Sequence, residues 1–212
     1  MTSIELIALA ASTSLLAGWR LYLVTLVTGL AMKFDYVALP EQLQALDVIA
    51  NNWVIGIAAI GTLAEFFADK IAWVDSAWDG VHAFIRPLGG ALLSLAIVDA
   101  GDPAWQIASF LAGGGAALVA HAGKAGARTL VNASPEPYSN IAVSTMEDIA
   151  TGGLLALAIA YPIAAAVIAA ILVFLSIWLV MKARRAIRRV MEHLNPPRPM
   201  KDVTPPPFPP TA

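Results

Sequence analysis

The stretch Glu65-Phe-Phe-Ala-Asp69-Lys70-Ile-Ala-Trp-Val-Asp75-Ser-Ala-Trp-Asp79-Gly-Val-His82-Ala-Phe-Ile-Arg86-Pro-Leu-Gly89-Gly90 joins two apolar runs, residues 49–68 and 81–98. Each run is close to the roughly 20 residues a helix needs to cross a bilayer. An ionisable side chain at the bilayer centre costs roughly 2.5–3.5 kcal/mol on insertion scales, so charges placed this near hydrocarbon call for a reason. The reading is a helix that enters the membrane, a charged turn, and a helix that returns.

A second charged stretch repeats the pattern further on. His121-Ala-Gly-Lys124-Ala-Gly-Ala-Arg128 is followed by Asn132-Ala-Ser134-Pro-Glu136-Pro-Tyr-Ser-Asn140 and then by Glu147-Asp148. Working outward, the apolar runs number six: residues 4–32, 49–68, 81–98, 104–122, 141–160 and 163–181. The first is interrupted by Ser12, Thr13, Ser14 and Arg20, and reads either as one tilted helix or as two pieces broken near the Ser/Thr cluster. The fold class is therefore all-α, a polytopic transmembrane bundle of about six spans, some of them open to being broken or re-entrant. Composition agrees: the 212 residues are 58% hydrophobic and 13% charged, with mean hydropathy +0.72, against about 25% charged in soluble domains. The transmembrane domain is residues 1–181, and the lipid bilayer is its first partner.

With no cysteine in the chain, disulfides, thiolate metal sites and cysteine nucleophiles are excluded. No cofactor motif is present, and any metal would have only oxygen and imidazole donors. A formal net charge of −2, with the basic residues at the membrane edge, gives nucleic-acid binding no support. The N-terminus lacks a basic region and a cleavage site, so no removable signal peptide is expected. Lys70, Lys124, Arg128 and the cations after residue 181 fall on one side of a six-span chain and Lys33 on the other, which predicts cytoplasmic termini.

Residues 182–194 form a basic juxtamembrane helix end, in which Arg184, Arg185, Arg188 and Arg189 suit anionic lipid headgroups as well as a plain topological anchor. Residues 195–212 hold eight prolines in eighteen positions, the composition of an extended tail. Gly89-Gly90 and Gly152-Gly153 precede similar apolar segments, which suggests an internal repeat of residues 49–98 and 104–160.

Helical phase groups the charged residues. Asp75, Asp79, His82 and Arg86 are spaced four, three and four apart; His121, Lys124 and Arg128 three and four; Glu65 and Asp69 four; Asn140, Ser144, Glu147 or Asp148, and Thr151 continue the pattern. Four polar stripes thus end near one level and are expected to converge on a polar centre formed by Glu65, Asp69, Lys70, Asp75, Asp79, His82, Arg86, His121, Lys124, Arg128, Asn132, Ser134, Glu136, Asn140, Glu147 and Asp148. Seven carboxylates there face four fixed cations and two histidines. Ion pairs such as Asp69 with Lys124 or Glu147 with Arg86 are the purely structural account. Between Asn132 and Asn140 the prolines and capping side chains read as a loop with an N-cap, or as a re-entrant segment.

These two stretches, Glu65 to Gly90 and His121 to Asp148, resemble the bacterial membrane proteins grouped as domain of unknown function 4126. The resemblance covers most of the chain up to Pro162 and implies a polytopic bacterial inner-membrane protein without implying an activity. Three readings of the polar centre follow. It binds an ion, a proton or a phosphate-bearing solute or lipid in a small transporter or channel-like protein. Alternatively, it ties together an accessory or scaffold subunit of a membrane complex or a homo-oligomer. An enzyme acting on lipid headgroups is the weakest of the three, since no nucleophile sits beside an evident base.

Overall fold

The computed structural model describes residues 2–34, 36, 48–98, 102–132 and 137–194. Six helices follow one another: α1 (Ser3–Lys33), α2 (Asn52–Ala68), α3 (Ala72–Ile97), α4 (Pro103–Asn132), α5 (Pro137–Ala160) and α6 (Pro162–Leu194). Five are long and apolar enough to cross a membrane; α2, at 17 residues, is shorter. The chain divides into a unit up to Val180 and a second from Met181 onward.

Local chemistry sets the helix starts. Thr2 caps α1 in a reciprocal pair with Glu5, the Thr2 N–H donating to Glu5 Oε2 at 2.7 Å and the Glu5 N–H to Thr2 Oγ1 at 3.3 Å. Asn51 Oδ1 accepts from the Trp53 N–H at 2.8 Å ahead of α2, and Asp102 Oδ1 from the Ala104 N–H at 2.8 Å ahead of α4. Proline opens α4, α5 and α6, where its missing N–H costs nothing. Residues 141–160, expected as the fifth span, thus extend back to Pro137, and the third and fourth gain their charged ends within the helices.

The first helix departs most from expectation. Arg20 leaves helical geometry (φ −143°, ψ 72°), and the two arms on either side of it, residues 3–19 and 21–33, fold back on each other. The first arm descends: Ile7 and Ala10 lie beside Val98 and Trp105, Ser14 Oγ donates to the Gly90 carbonyl at 3.0 Å, and Arg20 meets Asp69. The second arm climbs: Tyr22 reaches His82, Gly29 packs on Ile49 and Ile55, and Lys33 meets Asn52. Leu9 and Met32 would be about 35 Å apart on a straight helix, yet both join one buried cluster with Ile97 and Ala158. The break therefore falls at Arg20, not at the Ser/Thr cluster, and α1 is a re-entrant hairpin.

Helices α2 to α5 then run alternately between the end of the bundle holding Ile97 and the end holding Asp69. Helix α6 follows from Ala165 in the Ile97 cluster, past Leu172, to Val180 against Gly126. Because α1 returns, Thr2 and Val180 lie at opposite ends of the bundle.

The tightest pair is antiparallel α3 and α4, whose first three facing pairs advance four residues at a time and whose fourth lies eleven further on. Gly113 meets Ser94, Ala117 meets Gly90, His121 meets Arg86, and Asn132 meets Asp75. Small residues let the backbones approach at one end, and ionic side chains fill the same seam at the other. Gly152 and Gly153 face open space whereas Gly89 and Gly90 pack on Leu21 and Ala117, so the glycine pairs that suggested a repeat are not equivalent in packing. In the second unit, Lys182, Arg184, Arg185 and Arg188 are exposed along the end of α6.

Glycines with and without space should separate in thermal denaturation followed by circular dichroism in detergent. Gly113→Ala places a methyl against Ser94 and should destabilise by about 1–3 kcal/mol, the usual cost of overpacking. Gly115→Ala meets nothing and should stabilise by roughly 0.5–1 kcal/mol through lower chain entropy. The same sign for both would contradict the close α3–α4 seam.

Candidate functional site

The lower half of the α3–α4 seam carries the charge, and α1, α2 and α5 bring the rest to it. Two groups of side chains result, one above the other. In the upper group Arg86 is fully buried and donates from Nη2 to Glu65 Oε1 at 2.6 Å and from Nη1 to Asp79 Oδ1 at 2.8 Å. The same Nη1 lies 2.7 Å from His121 Nδ1. A guanidinium has only donors, so that imidazole nitrogen is an acceptor. Beside this group His82 stacks on Trp78 (ring centroids 4.3 Å) and lies with Nδ1 2.8 Å from the Trp78 carbonyl, which sets Nδ1 as the donor. The Tyr22 hydroxyl is 3.0 Å from its other nitrogen.

The lower group is organised by Asp69, at the C-terminal cap of α2. Its carboxylate receives Arg20 from the apex of α1 and Lys124 from α4, the latter at 3.3 Å. Arg20 also contacts Asp148 at 3.0 Å, Glu147 at 3.8 Å and the Ser144 carbonyl at 3.3 Å, so one guanidinium spans α2 and α5. Lys124 donates to the Trp19 carbonyl at 3.1 Å, satisfying a backbone oxygen that the break in α1 frees from its helix. Arg128 binds Asp75 through Nε at 3.1 Å and also donates to the carbonyls of Asn140 and Asp69. Asn132 Nδ2 donates to Asp75 Oδ2 at 2.6 Å. Lys70 sits over the Phe66 ring and 4.0 Å from Asp148.

Burial grades across the site. The side chains of Glu65, Asp69, Asp75, Arg20, Arg86 and Arg128 are sealed, whereas Glu147 (17% exposed), Lys70 (22%) and Asp148 (24%) form an accessible rim. Glu65 Oε2, Asp69 Oδ1 and Asp75 Oδ1 are buried with no hydrogen-bond donor among the described residues. Arg20 Nε and Arg86 Nε are likewise buried with no hydrogen-bond acceptor, and Glu147 Oε2 and Asp148 Oδ2 with no hydrogen-bond donor, among the described residues. No three His, Asp or Glu side chains converge as metal ligands among the described residues.

Sequence spacing brought most of the expected residues together. Ser134 and Glu136 lie outside the described residues. The pairing of Asp69 with Lys124 is found, but Glu147 does not pair with Arg86: Arg86 is engaged by Glu65, Asp79 and His121, and Glu147 is closest to Arg20 and Lys124. Arg20 was overlooked as a site residue. Its signal was present, as a lone cation inside a long apolar run.

A sequence model for the family described as Domain of unknown function (DUF4126) matches residues 7–182. No curated protein and no solved structure matches the chain.

Substitutions should reveal the two grades of burial. Asp69→Asn leaves Arg20 and Lys124 without their shared carboxylate and should cost about 3–5 kcal/mol, as breaking a buried pair does. Glu147→Gln, at the rim with contacts of 3.8 Å, should cost no more than about 1 kcal/mol. Chemical denaturation of the detergent-solubilised protein measures both, and equal losses would refute this ranking.

Proposed function

The chain belongs to the DUF4126 family, and from that premise we propose that it is a small transporter of the bacterial inner membrane whose charged centre carries a proton or another small ion. The observation that carries this reading is Arg20 at the break of the re-entrant α1 hairpin, held by carboxylates of two other helices. Broken helices with charged groups at the break are how many secondary transporters place a site at membrane depth. The partly exposed Glu147, Asp148 and Lys70 are the side from which an ion would enter.

A second reading, an accessory or scaffold subunit, is favoured by the density of pairing around Arg20, Arg86 and Arg128. Ion flux separates the two. In liposomes loaded with a pH-sensitive dye, the protein should raise proton or cation flux under an imposed potential above that of protein-free liposomes. Glu147→Gln should lower it about tenfold, a change of 1.4 kcal/mol in the barrier, without loss of folded yield. Flux no higher than in protein-free liposomes would leave the scaffold.

Orientation follows from the basic end of α6. The cations after residue 181 favour a cytoplasmic face for the Val180 end of the bundle, and the return of α1 then supports an orientation with both of its ends on the other face. The cysteine-free chain makes this simple to test with single cysteines and an impermeant maleimide. Thr2→Cys and Tyr36→Cys should label from outside intact spheroplasts, and Arg185→Cys only after lysis. Labelling of Thr2→Cys together with Arg185→Cys would restore a single crossing by α1.

A further inference from the structure

A groove of about 550 Å³ lies between the second arm of α1, α2 and α3, away from the charged centre. Its walls include Leu21, Tyr22, Ile49, Val54, Ile57 and Leu92. The groove exists because α2 starts at Asn52: a 17-residue helix spans about 26 Å, less than the roughly 30 Å hydrocarbon core, and leaves the ends of α1 and α3 uncovered. Ile57 and Leu92 are more than half exposed, so the groove opens sideways to the surroundings of the bundle.

We propose that this groove holds one acyl chain of an anionic phospholipid whose headgroup is bound by Lys33. Length argues for the chain. From Tyr22 to Lys33 the second arm rises eleven residues, about 17 Å, which is close to the half-thickness of the hydrocarbon core that one leaflet's chains occupy. Charge argues for the head. Lys33 ends the arm beside Asn52, two residues before the groove-lining Val54, and among the described residues its ammonium meets the neutral Asn52 side chain and no carboxylate, which suits it to a phosphate. A protein partner would have to supply a long apolar projection, whereas a phospholipid presents chain and phosphate at the spacing the groove offers.

Native mass spectrometry of the full chain from mild detergent, titrated with phosphatidylglycerol or phosphatidylcholine, tests this. The protein should retain one phosphatidylglycerol in preference to phosphatidylcholine. Lys33→Gln should weaken phosphatidylglycerol about fivefold, the effect of one cation near an anionic lipid surface, and leave phosphatidylcholine unchanged. Leu92→Trp, which fills the groove from a position already half exposed, should abolish retention of both while the protein stays folded. Ile57→Trp repeats the test from the opposite wall. Equal retention by the Trp variants, an unchanged preference in Lys33→Gln, or a dimer that Leu92→Trp dissociates would each overturn the proposal, the last by assigning the groove to a second copy. None of these outcomes depends on whether the charged centre conducts ions.

Discussion

The contact of Arg20 with Asp69 holds this architecture together. A guanidinium inside an apolar run has no favourable place in lipid, and the counter-charges it meets are carboxylates at the end of α2 and in the middle of α5. Reaching them requires α1 to descend and turn, and the turn exposes backbone groups that would otherwise be unsatisfied at membrane depth. Lys124 meets one of them, the Trp19 carbonyl, while also binding Asp69. The same four or five side chains thus neutralise the apex, cap its broken backbone and tie α1 to three other helices. Helices α1, α2, α4 and α5 are thus joined through charges that lie on one another.

The upper half of the bundle is built on the opposite principle. In lipid there is no hydrophobic gain from helix association, so packing depends on close backbone approach. Gly18 lies against Ala117 and Ala120, Gly90 against Ala117, and Gly113 against Ser94. Helices α1, α3 and α4 meet through residues with almost no side chain, and this contact sets the height at which their ionic ends arrive. A larger residue in the seam would displace Arg86 from Glu65 and Asp79 as well as loosening the upper packing.

Much of this was legible in the sequence because helical spacing alone assigns Asp75, Asp79, His82 and Arg86 to one face, and His121, Lys124 and Arg128 to another. The hairpin was not legible, for a physical reason. Ser12, Thr13 and Ser14 look like a break, but Ser12 and Thr13 bond back to the carbonyls of Leu9 and Ala10 and leave the helix intact, and Ser14 reaches across to Gly90. Arg20 has neither glycine nor proline beside the bond that turns, so only its long-range partner explains the break. Pair identities were hidden likewise: spacing fixes a face, but which cation meets which carboxylate depends on how far each helix is from its neighbour.

Charge balance links the site to its proposed role. Among the described residues, the lower group pairs Asp69, Asp75, Glu147 and Asp148 with Arg20, Lys70, Lys124 and Arg128, so its formal charges cancel. The upper group sets Glu65 and Asp79 against Arg86 alone, and His121 accepts from Arg86, so it adds no charge to offset them. One negative charge is left over in a sealed place, where an isolated charge is costly. In the proposed transport reading, a carried small cation would offset it. On that reading the site has an occupied and an empty state of different energy, and a conformation favouring one of them would couple the ion to movement.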